Sequence, residues 1–346
     1  MKSFLHHLAE ITHCREHDQL DLAVIAALYE LTGALSATML DVTQTGVQLF
    51  LQTRAVVEQG AVFSYFDSPT GPDYESRLIP CPPVLADAIR RKSNDVKEVE
   101  AGHTILWLPL WLHDRIHSCI RLEYATNSEA RAQLLIKGIV TVYSNYQNLI
   151  DYSERDSLTG LLNRKTFDSR FARMTAQCVA PKHLTLPGQL ERRHSDEVRE
   201  SWLAVIDIDH FKKINDRFGH VYGDEVLILL ANILKSSFRA NEKIFRFGGE
   251  EFVVLLRSAT LQNATMAFER FRRAIEQHDF PQVGRVTVSL GFVSISSNTP
   301  VAVLGHADQA LYYAKEHGRN QIQLYDRLVA DNLLQPEAAS GSVEFF

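Results

Sequence analysis

The segment that most constrains the fold runs from Ile244 to Leu256, where the apolar runs Ile244-Phe245 and Val253-Val254-Leu255-Leu256 flank Gly248-Gly249-Glu250-Glu251-Phe252. Short apolar runs hinged on paired glycines predict a β-hairpin between buried strands, the glycines permitting the turn and the carboxylates standing at its tip. Carboxylates beside a backbone without side chains suit a site that holds a divalent cation while a phosphate chain comes close. A second run, Trp202-Leu203-Ala204-Val205-Ile206, is rich in strand formers and leads into Asp207-Ile208-Asp209. Carboxyl ends of strands are where α/β sheets bind ligands, so Asp207 is expected across the sheet from the hairpin tip.

At these residues the chain resembles a GGDEF-domain diguanylate cyclase, in the variant that reads GGEEF. The resemblance is carried by Asp207 to Asp216 with Gly219-His220 and Gly223-Asp224, and by Asp156-Ser157-Leu158-Thr159-Gly160-Leu161-Leu162-Asn163-Arg164. Val286-Thr287-Val288-Ser289-Leu290-Gly291, Ala307-Asp308-Gln309-Ala310-Leu311-Tyr312, and Ala314-Lys315 with Gly318-Arg319-Asn320 complete the ordered blocks. The fold so implied is α/β (α+β), similar to the nucleotidyl cyclase and polymerase-palm fold, with a central mixed, largely antiparallel sheet. The activity implied is condensation of two GTP into cyclic di-GMP with release of two pyrophosphates.

Residue by residue, the resemblance implies that Asp207, the backbone carbonyl of Ile208 and Glu250 bind Mg²⁺ (or Mn²⁺), and that Glu251 supports a second metal position. Glu250 is the residue implied to assist the attacking ribose 3′-hydroxyl. Asn215 and Asp224 match the guanine contacts, which is apt because guanine offers N1 and N2 donors to a carboxylate and an O6/N7 edge to an amide. His220 lies between them and either borders the base or ribose or packs within its Gly-His turn. Lys212, Lys315 and Arg319 match the phosphate contacts, and a spacing of four puts Lys315 and Arg319 one helical turn apart. One site holds one GTP, so a homodimer is implied. The competing class is a non-catalytic receptor for GTP or cyclic di-GMP; the complete set of acids favours the enzyme. Where the family carries an inhibitory Arg-x-x-Asp product site, this chain reads Arg239-Ala240-Asn241-Glu242. The extra methylene of Glu242 predicts weakened or absent feedback inhibition.

At 346 residues the chain exceeds a single hydrophobic core, and two domains are expected. A formal net charge of −6 argues against a general binder of nucleic acid or anionic membrane. Cys14, Cys81, Cys119 and Cys178 are widely spaced without a CxxC pair, which predicts reduced thiols. No run approaches the roughly eighteen apolar residues needed to cross a bilayer. The start, Met1-Lys2-Ser3-Phe4-Leu5-His6-His7, is interrupted by polar residues before a signal-peptide core could form. A soluble, cytoplasmic protein without membrane insertion is expected.

Along the chain, apolar spacing predicts a helix from Leu5 to Leu31 stopped by Gly33, then strands at 38–42, 47–53 and 61–66. A Pro- and Gly-containing stretch (68–83) precedes an amphipathic run (84–91), and strands 104–110 and 116–124 surround the turn His113-Asp114-Arg115. This order, with an apolar strand ending in Pro109-Leu110, resembles a GAF-type sensor domain over 1–128; a PAS-like fold remains the alternative. The ligand or other signal of such a sensor is not readable. His6, His7, His13, Cys14 and His17 crowd the first helix, with His13 and His17 at a chelating i, i+4 spacing, but solvated histidines are favoured over a metal site. Trp107, Trp111, His103, His113 and His117 read as core in preference to a pocket lining. Residues 129–155 read as a helical linker whose seam Leu135, Ile139, Val142, Tyr146, Leu149 and Ser153 predicts a short coiled coil, against packing on its own domain. The cyclase-like domain is expected over 156–328, with a surface insertion at 177–201 and a frayed tail over 329–346.

Overall fold

The computed structural model describes residues 3–46, 48–65, 78–100, 102–112, 115–125, 133–179, 199–239, 242–295 and 299–335. The chain divides into two compact units, Met1–Ser153 and Glu154–Phe346.

The first unit begins with helices α1 (Phe4–His13) and α2 (His17–Thr32), followed by strands β1 (Ser36–Thr45), β2 (Gln48–Glu58), β3 (Ala61–Ser64) and β4 (Ile79–Pro80). Helix α3 (Pro83–Arg90), strands β5 (Val96–Glu100), β6 (His103–Leu112) and β7 (Arg115–Ala125), and helix α4 (Gln133–Glu154) complete it, the last residue of α4 opening the second unit. The anticipated single helix from Leu5 to Leu31 is therefore two. Arg15 to Gln19 contains no apolar residue to hold a helix on the core, and Cys14 and Glu16 adopt extended backbone. His13 and His17 consequently end one helix and begin the next, so their i, i+4 spacing is not one helical turn. His7 also departs from the solvated expectation, being 2% exposed. Gly33 does end α2, at φ +67°.

The strands pair antiparallel in the order β3-β2-β1-β7-β6-β5, with β4 beside β2. Side chains alternate between the two sheet faces. On β6, Leu106, Leu108 and Leu110 join the core formed with α2 and α4, whereas Ile105 and Trp107 join a second core under α3. Helix α4 turns Ile136, Ile139, Tyr143 and Ile150 into the core of its own unit. Of the expected seam, Ile139 is therefore already covered; Leu135, Val142 and Tyr146 are half-buried, and Leu149 and Ser153 are exposed. The same inward face carries polar groups. Tyr143 donates its hydroxyl to Asp21 Oδ1 at 2.6 Å, and Arg54 pairs with Asp21 at 2.9 Å and Asp18 at 3.0 Å. Burial pushes the Asp21 carboxyl up to about 6 in spite of Arg54. The stretch 126–132, where the linker helix was expected to begin, and the turn residues His113 and Asp114 lie outside the described residues.

In the second unit, strand β8 (Leu162–Asn163) and a 3₁₀ turn (Arg164–Thr166) lead into helix α5 (Phe167–Val179) and strand β9 (Glu200–Ile208). Helices α6 (Phe211–Phe218) and α7 (His220–Ser237), strands β10 (Lys243–Gly248) and β11 (Glu251–Ala259), and helix α8 (Leu261–Gln277) come next. Strands β12 (Asp279–Phe280), β13 (Gly284–Arg285) and β14 (Val288–Ser294), helix α9 (Pro300–Glu316), strand β15 (Ile322–Leu324) and helix α10 (Tyr325–Ala330) finish it. The main sheet runs β15-β14-β9-β11-β10-β8; its outermost pairs are parallel and its three inner pairs antiparallel, the mixed, largely antiparallel arrangement expected. The expected insertion shrinks at both ends, because α5 continues to Val179 and β9 begins at Glu200; residues 180–198 lie outside the described set. The tail also begins later than anticipated. Val329 and Leu334 still pack against the core that holds Tyr325 and Leu328 of α10, and residues 336–346 lie outside the description.

Parity along β9 decides what reaches the site. Trp202, Ala204, Ile206 and Ile208 face the core built with α7 and α8, while Leu203 and Val205 face the core built with α5, α9 and α10. Asp207 continues the odd series, which directs its carboxylate toward the α9 side.

Candidate functional site

Asp207 lies opposite Glu251 of β11 on one side and Ser289 of β14 on the other. Lys315, in the last turn of α9, meets Asp207 Oδ2 at 2.8 Å. Asp308 lies two turns earlier on the same helix and also bears on the site. Burial is the first cause that raises the proton affinity of Asp207, Glu250, Glu251 and Asp308. Mutual repulsion adds to it: Asp207 acts on both glutamates and Asp308 on Asp207 and Glu251, with Lys315 the opposing cation at all four. Four partly desolvated carboxylates, faced by the Lys315 ammonium and, at Glu251, by Arg164 as well, make a site short of positive charge.

That imbalance fits a hard divalent cation, and the donors are of the right kind, carboxylates with a backbone carbonyl and no sulfur. Among the described residues, no three His, Cys, Asp or Glu side chains stand close enough to form a metal-binding set. Lys315 occupies Asp207 instead. The hydrocarbon side chain of Ile208 has no donor atom and is fully buried, which leaves its backbone carbonyl as the group that could ligate.

The hairpin forms as expected, with an irregularity in the register between Arg246 and Gly248. The expected role of the glycines in permitting the turn does not hold. Neither Gly248 nor Gly249 has a positive φ. A Cβ at Gly249 would meet nothing within 4 Å, and one at Gly248 only Glu251 Oε2 at 3.9 Å. Their contribution is open space beside the carboxylates. The tip is held by Arg246, which donates to the Gly249 carbonyl at 2.8 and 3.2 Å and to Asp156 Oδ1 at 3.0 Å. Asp156 in turn accepts from the Thr159 amide and hydroxyl.

Asn215 on α6 and Asp224 on α7 are brought together by the sharp link at Gly219, φ +90°. The Asn215 carboxamide rests on Gly223, where a Cβ would stand 1.9 Å from Oδ1. Gly223 is therefore the position at which only glycine leaves room for Asn215. Lys212, His220 and Asp224 are exposed. Arg319 departs from the expected one-turn geometry, because α9 ends at Glu316 and Arg319 sits in the following turn at φ +59°. Its amide donates to Ala314 O at 3.0 Å. Among the described residues, the side chains of Lys212 and Arg319 have no hydrogen-bond or ionic partner. Farther along, Glu242 Oε2 accepts from the Arg257 amide at 2.9 Å, and burial raises its proton affinity. Arg239 is exposed, and Ala240 and Asn241 lie outside the described residues.

Three site residues were missed. Asp308 stood in a quoted block without a role, and its i, i+7 relation to Lys315 was the available signal. Asp209 shares the parity of Asp207 but is 6% exposed and accepts from Thr287 and Ser289 at 2.7 Å each and from the Asn320 amide at 3.0 Å. Arg246 gave no signal, since its partners are far away in sequence.

An acid-rich strand end beside a glycine hairpin has the chemistry that suits an anionic ligand held together with a cation. The family profile described as diguanylate cyclase, GGDEF domain, matches residues 153–321. That part of the chain matches the GGDEF domain of diguanylate cyclases. Diguanylate cyclase DgcP of Pseudomonas aeruginosa is 36% identical over 219 residues, covering 60% of this chain and 30% of DgcP. Diguanylate cyclase DgcM of Escherichia coli is 38% identical over 171 residues, covering 49% of this chain and 38% of DgcM. The chain thus spans about a third of the length of these curated relatives. The crystallised coiled coil and GGDEF domain of DgcB from Caulobacter crescentus, in complex with c-di-GMP, is 26% identical at a TM-score of 0.48, covering 56% of this chain and 97% of that one.

Proposed function

We propose that the protein condenses two GTP into cyclic di-GMP and two pyrophosphates, as a homodimer whose GGDEF domain spans 156–328. The observation that carries this reading is the facing of Asp207 and Glu251 across the β9–β11 register, with Lys315 on Asp207. Asp207, the Ile208 carbonyl, Glu250 and Glu251 hold Mg²⁺ or Mn²⁺. Such an ion neutralises triphosphate charge and polarises the α-phosphate. Lys212, Lys315 and Arg319 bind the phosphates, and an arriving phosphate gives Lys315 a second partner besides Asp207. Asp224 accepts the guanine N1 and N2 protons, Asn215 donates to O6 or N7, and His220 borders the nucleoside. Glu250 takes the proton of the ribose 3′-hydroxyl, a role suited to a carboxylate whose proton affinity is raised.

Each domain carries one GTP, so bond formation needs a second copy facing the first. The exposed Leu134, Leu149 and Tyr152 give α4 an apolar outward face for that pairing. We assign 1–128 to a GAF-like sensor and 129–155 to the helix that carries its signal, in keeping with an antiparallel sheet sandwiched between helices. No helix among the described residues is long and apolar enough to cross a membrane. The test is incubation of the purified chain with GTP and Mg²⁺, followed by chromatography for cyclic di-GMP. Glu250→Ala is expected to lower turnover by about 10³-fold or more while GTP still binds. Wild-type protein that binds GTP yet makes no product sinks the reading in favour of a receptor.

A further inference from the structure

Gly318, Arg319 and Asn320 form a turn in which all three residues have positive φ: +109°, +59° and +46°. Such a conformation is natural for glycine, tolerated by asparagine and unfavourable for arginine. Successive non-glycine residues keep it where surrounding contacts over-determine the backbone. Here those contacts converge on Asn320. Its amide donates to Asp209 Oδ2 at 3.0 Å, its carboxamide NH₂ donates to Glu276 Oε1 at 2.6 Å, and its carboxamide oxygen accepts from Arg272 Nη1 at 2.7 Å.

Both anchors are themselves fixed. Arg272 is 9% exposed and is held by Glu269 through two bonds of 2.9 Å and by Glu276 at 3.0 Å. Asp209 is held by Thr287 and Ser289 and stands two residues beyond Asp207. Arg319 has no comparable anchor; only its amide is tied, to Ala314, and its guanidinium has no partner among the described residues.

We propose that Asn320 is a positioning residue for the GTP triphosphate. By tying the turn to Asp209 on one side and to the Arg272–Glu276 post of α8 on the other, it fixes the direction in which the Arg319 guanidinium leaves the backbone beside the strand end that bears Asp207. The proposal rests on the cyclase reading, which gives Arg319 to phosphate. None of the four side chains that form the clamp belongs to the apolar cores of the unit, so loosening it leaves those cores in place.

The test uses the full chain and 3′-deoxy-GTP, which lacks the attacking hydroxyl, titrated to equilibrium alongside guanosine, which lacks the phosphates. Arg319→Ala is expected to weaken 3′-deoxy-GTP about tenfold, Asn320→Ala by a similar factor, and the double variant no further than Arg319→Ala alone. Guanosine affinity stays at the wild-type value in all three. Glu276→Gln keeps an acceptor for the carboxamide but loses the Arg272 bond at Oε2, and it weakens 3′-deoxy-GTP by less than Asn320→Ala does. Asn320→Gly, which relieves the backbone strain but lacks the clamp, binds as weakly as Asn320→Ala and excludes simple unfolding. Additive losses in the double variant, an equal loss of guanosine binding, or a silent Asn320→Ala beside a weakened Arg319→Ala overturns the positioning role alone. Arg319→Ala without effect, in a wild type that makes no cyclic di-GMP, overturns the cyclase reading and this proposal with it.

Discussion

Gly291 on β14 supports the helix that carries two of the site's charged residues, and the substitution Gly291→Ala tests that support. Gly291 pairs with Val205 and Gln323 in the sheet, and α9 crosses directly above it. A Cβ there would stand 2.0 Å from the Ala307 carbonyl oxygen, 2.2 Å from the Leu311 nitrogen and 2.7 Å from the Ala310 carbonyl carbon. All three are backbone atoms of α9, so no rotamer change relieves the clash. Tolerable separation begins near 3.0 Å, so the helix must retreat by about 1 Å. The residues that α9 turns to the sheet include Ala307 and Ala310, and their small size is what allows the present approach. Retreat would loosen Val303, Leu304 and Leu311, and overpacking with partial cavity formation costs about 3 kcal/mol or more. It would also stretch the 2.8 Å Lys315–Asp207 pair beyond hydrogen-bond range. Trp202 is the one tryptophan of this unit, the other two being Trp107 and Trp111. Urea unfolding read from Trp202 fluorescence in a Trp107→Phe/Trp111→Phe background therefore isolates the effect. A loss below about 1 kcal/mol would refute the argument that backbone contact at this glycine sets the position of α9.

Gly223→Ala makes the opposite kind of clash, because its Cβ would meet side chains alone: the carboxamide end of Asn215 at 1.9 Å and, less severely, Phe211 Cζ at 3.3 Å. It should leave the urea midpoint nearly unchanged while weakening GTP about tenfold through displacement of Asn215; unchanged affinity would argue against Asn215 as a base contact. Burial raises Asp21 from 3.8 to about 6, so between those values the folded form binds the extra proton and stability falls as pH rises, levelling above about 6. At 1.36 kcal/mol per pKa unit the group accounts for about 3 kcal/mol, and Asp21→Asn should remove that slope from the first unit's unfolding between pH 4 and 7; an identical slope in wild type and variant rules out Asp21 as its source. With the Glu242 carboxylate engaged on the Arg257 amide, cyclic di-GMP is expected to inhibit weakly, and inhibition below about 1 μM in a product titration would mean that Arg239 and Glu242 still form a working site.

The hairpin and β9 were legible because their signals are local: apolar runs of strand length, with polar residues where burial ends. The side on which Asp207 emerges was not legible, because Trp202 to Ile206 is apolar at every position and only the two cores of the structure separate the faces. What escaped depends on contacts distant in sequence. Arg246 reaches Asp156 across 90 positions, and Asp209 is satisfied by Thr287, Ser289 and Asn320. The break between α1 and α2 was masked by apolar positions that resume a helical spacing after a polar gap. Gly248 and Gly249 suggested a conformational need that the backbone does not have, whereas Gly223 and Gly291, read only as parts of motifs, are the glycines with no room for a side chain. The inward face of α4 reads equally well as a seam or as core, because Ile139 satisfies either pattern.

Strand β9 has a neighbour on both edges and a hydrophobic layer on both faces. Its amides from Leu203 to Val205 should exchange with solvent deuterium only when the whole unit opens, whereas the Gly249 and Glu250 amides at the hairpin tip exchange by local fraying. Exchange rates would therefore change by many orders of magnitude between the two walls of one small site. Asp207 is attached where the protein opens last, and Glu250 is attached to a turn that can adjust without disturbing the sheet, with Glu251 at the strand end between them.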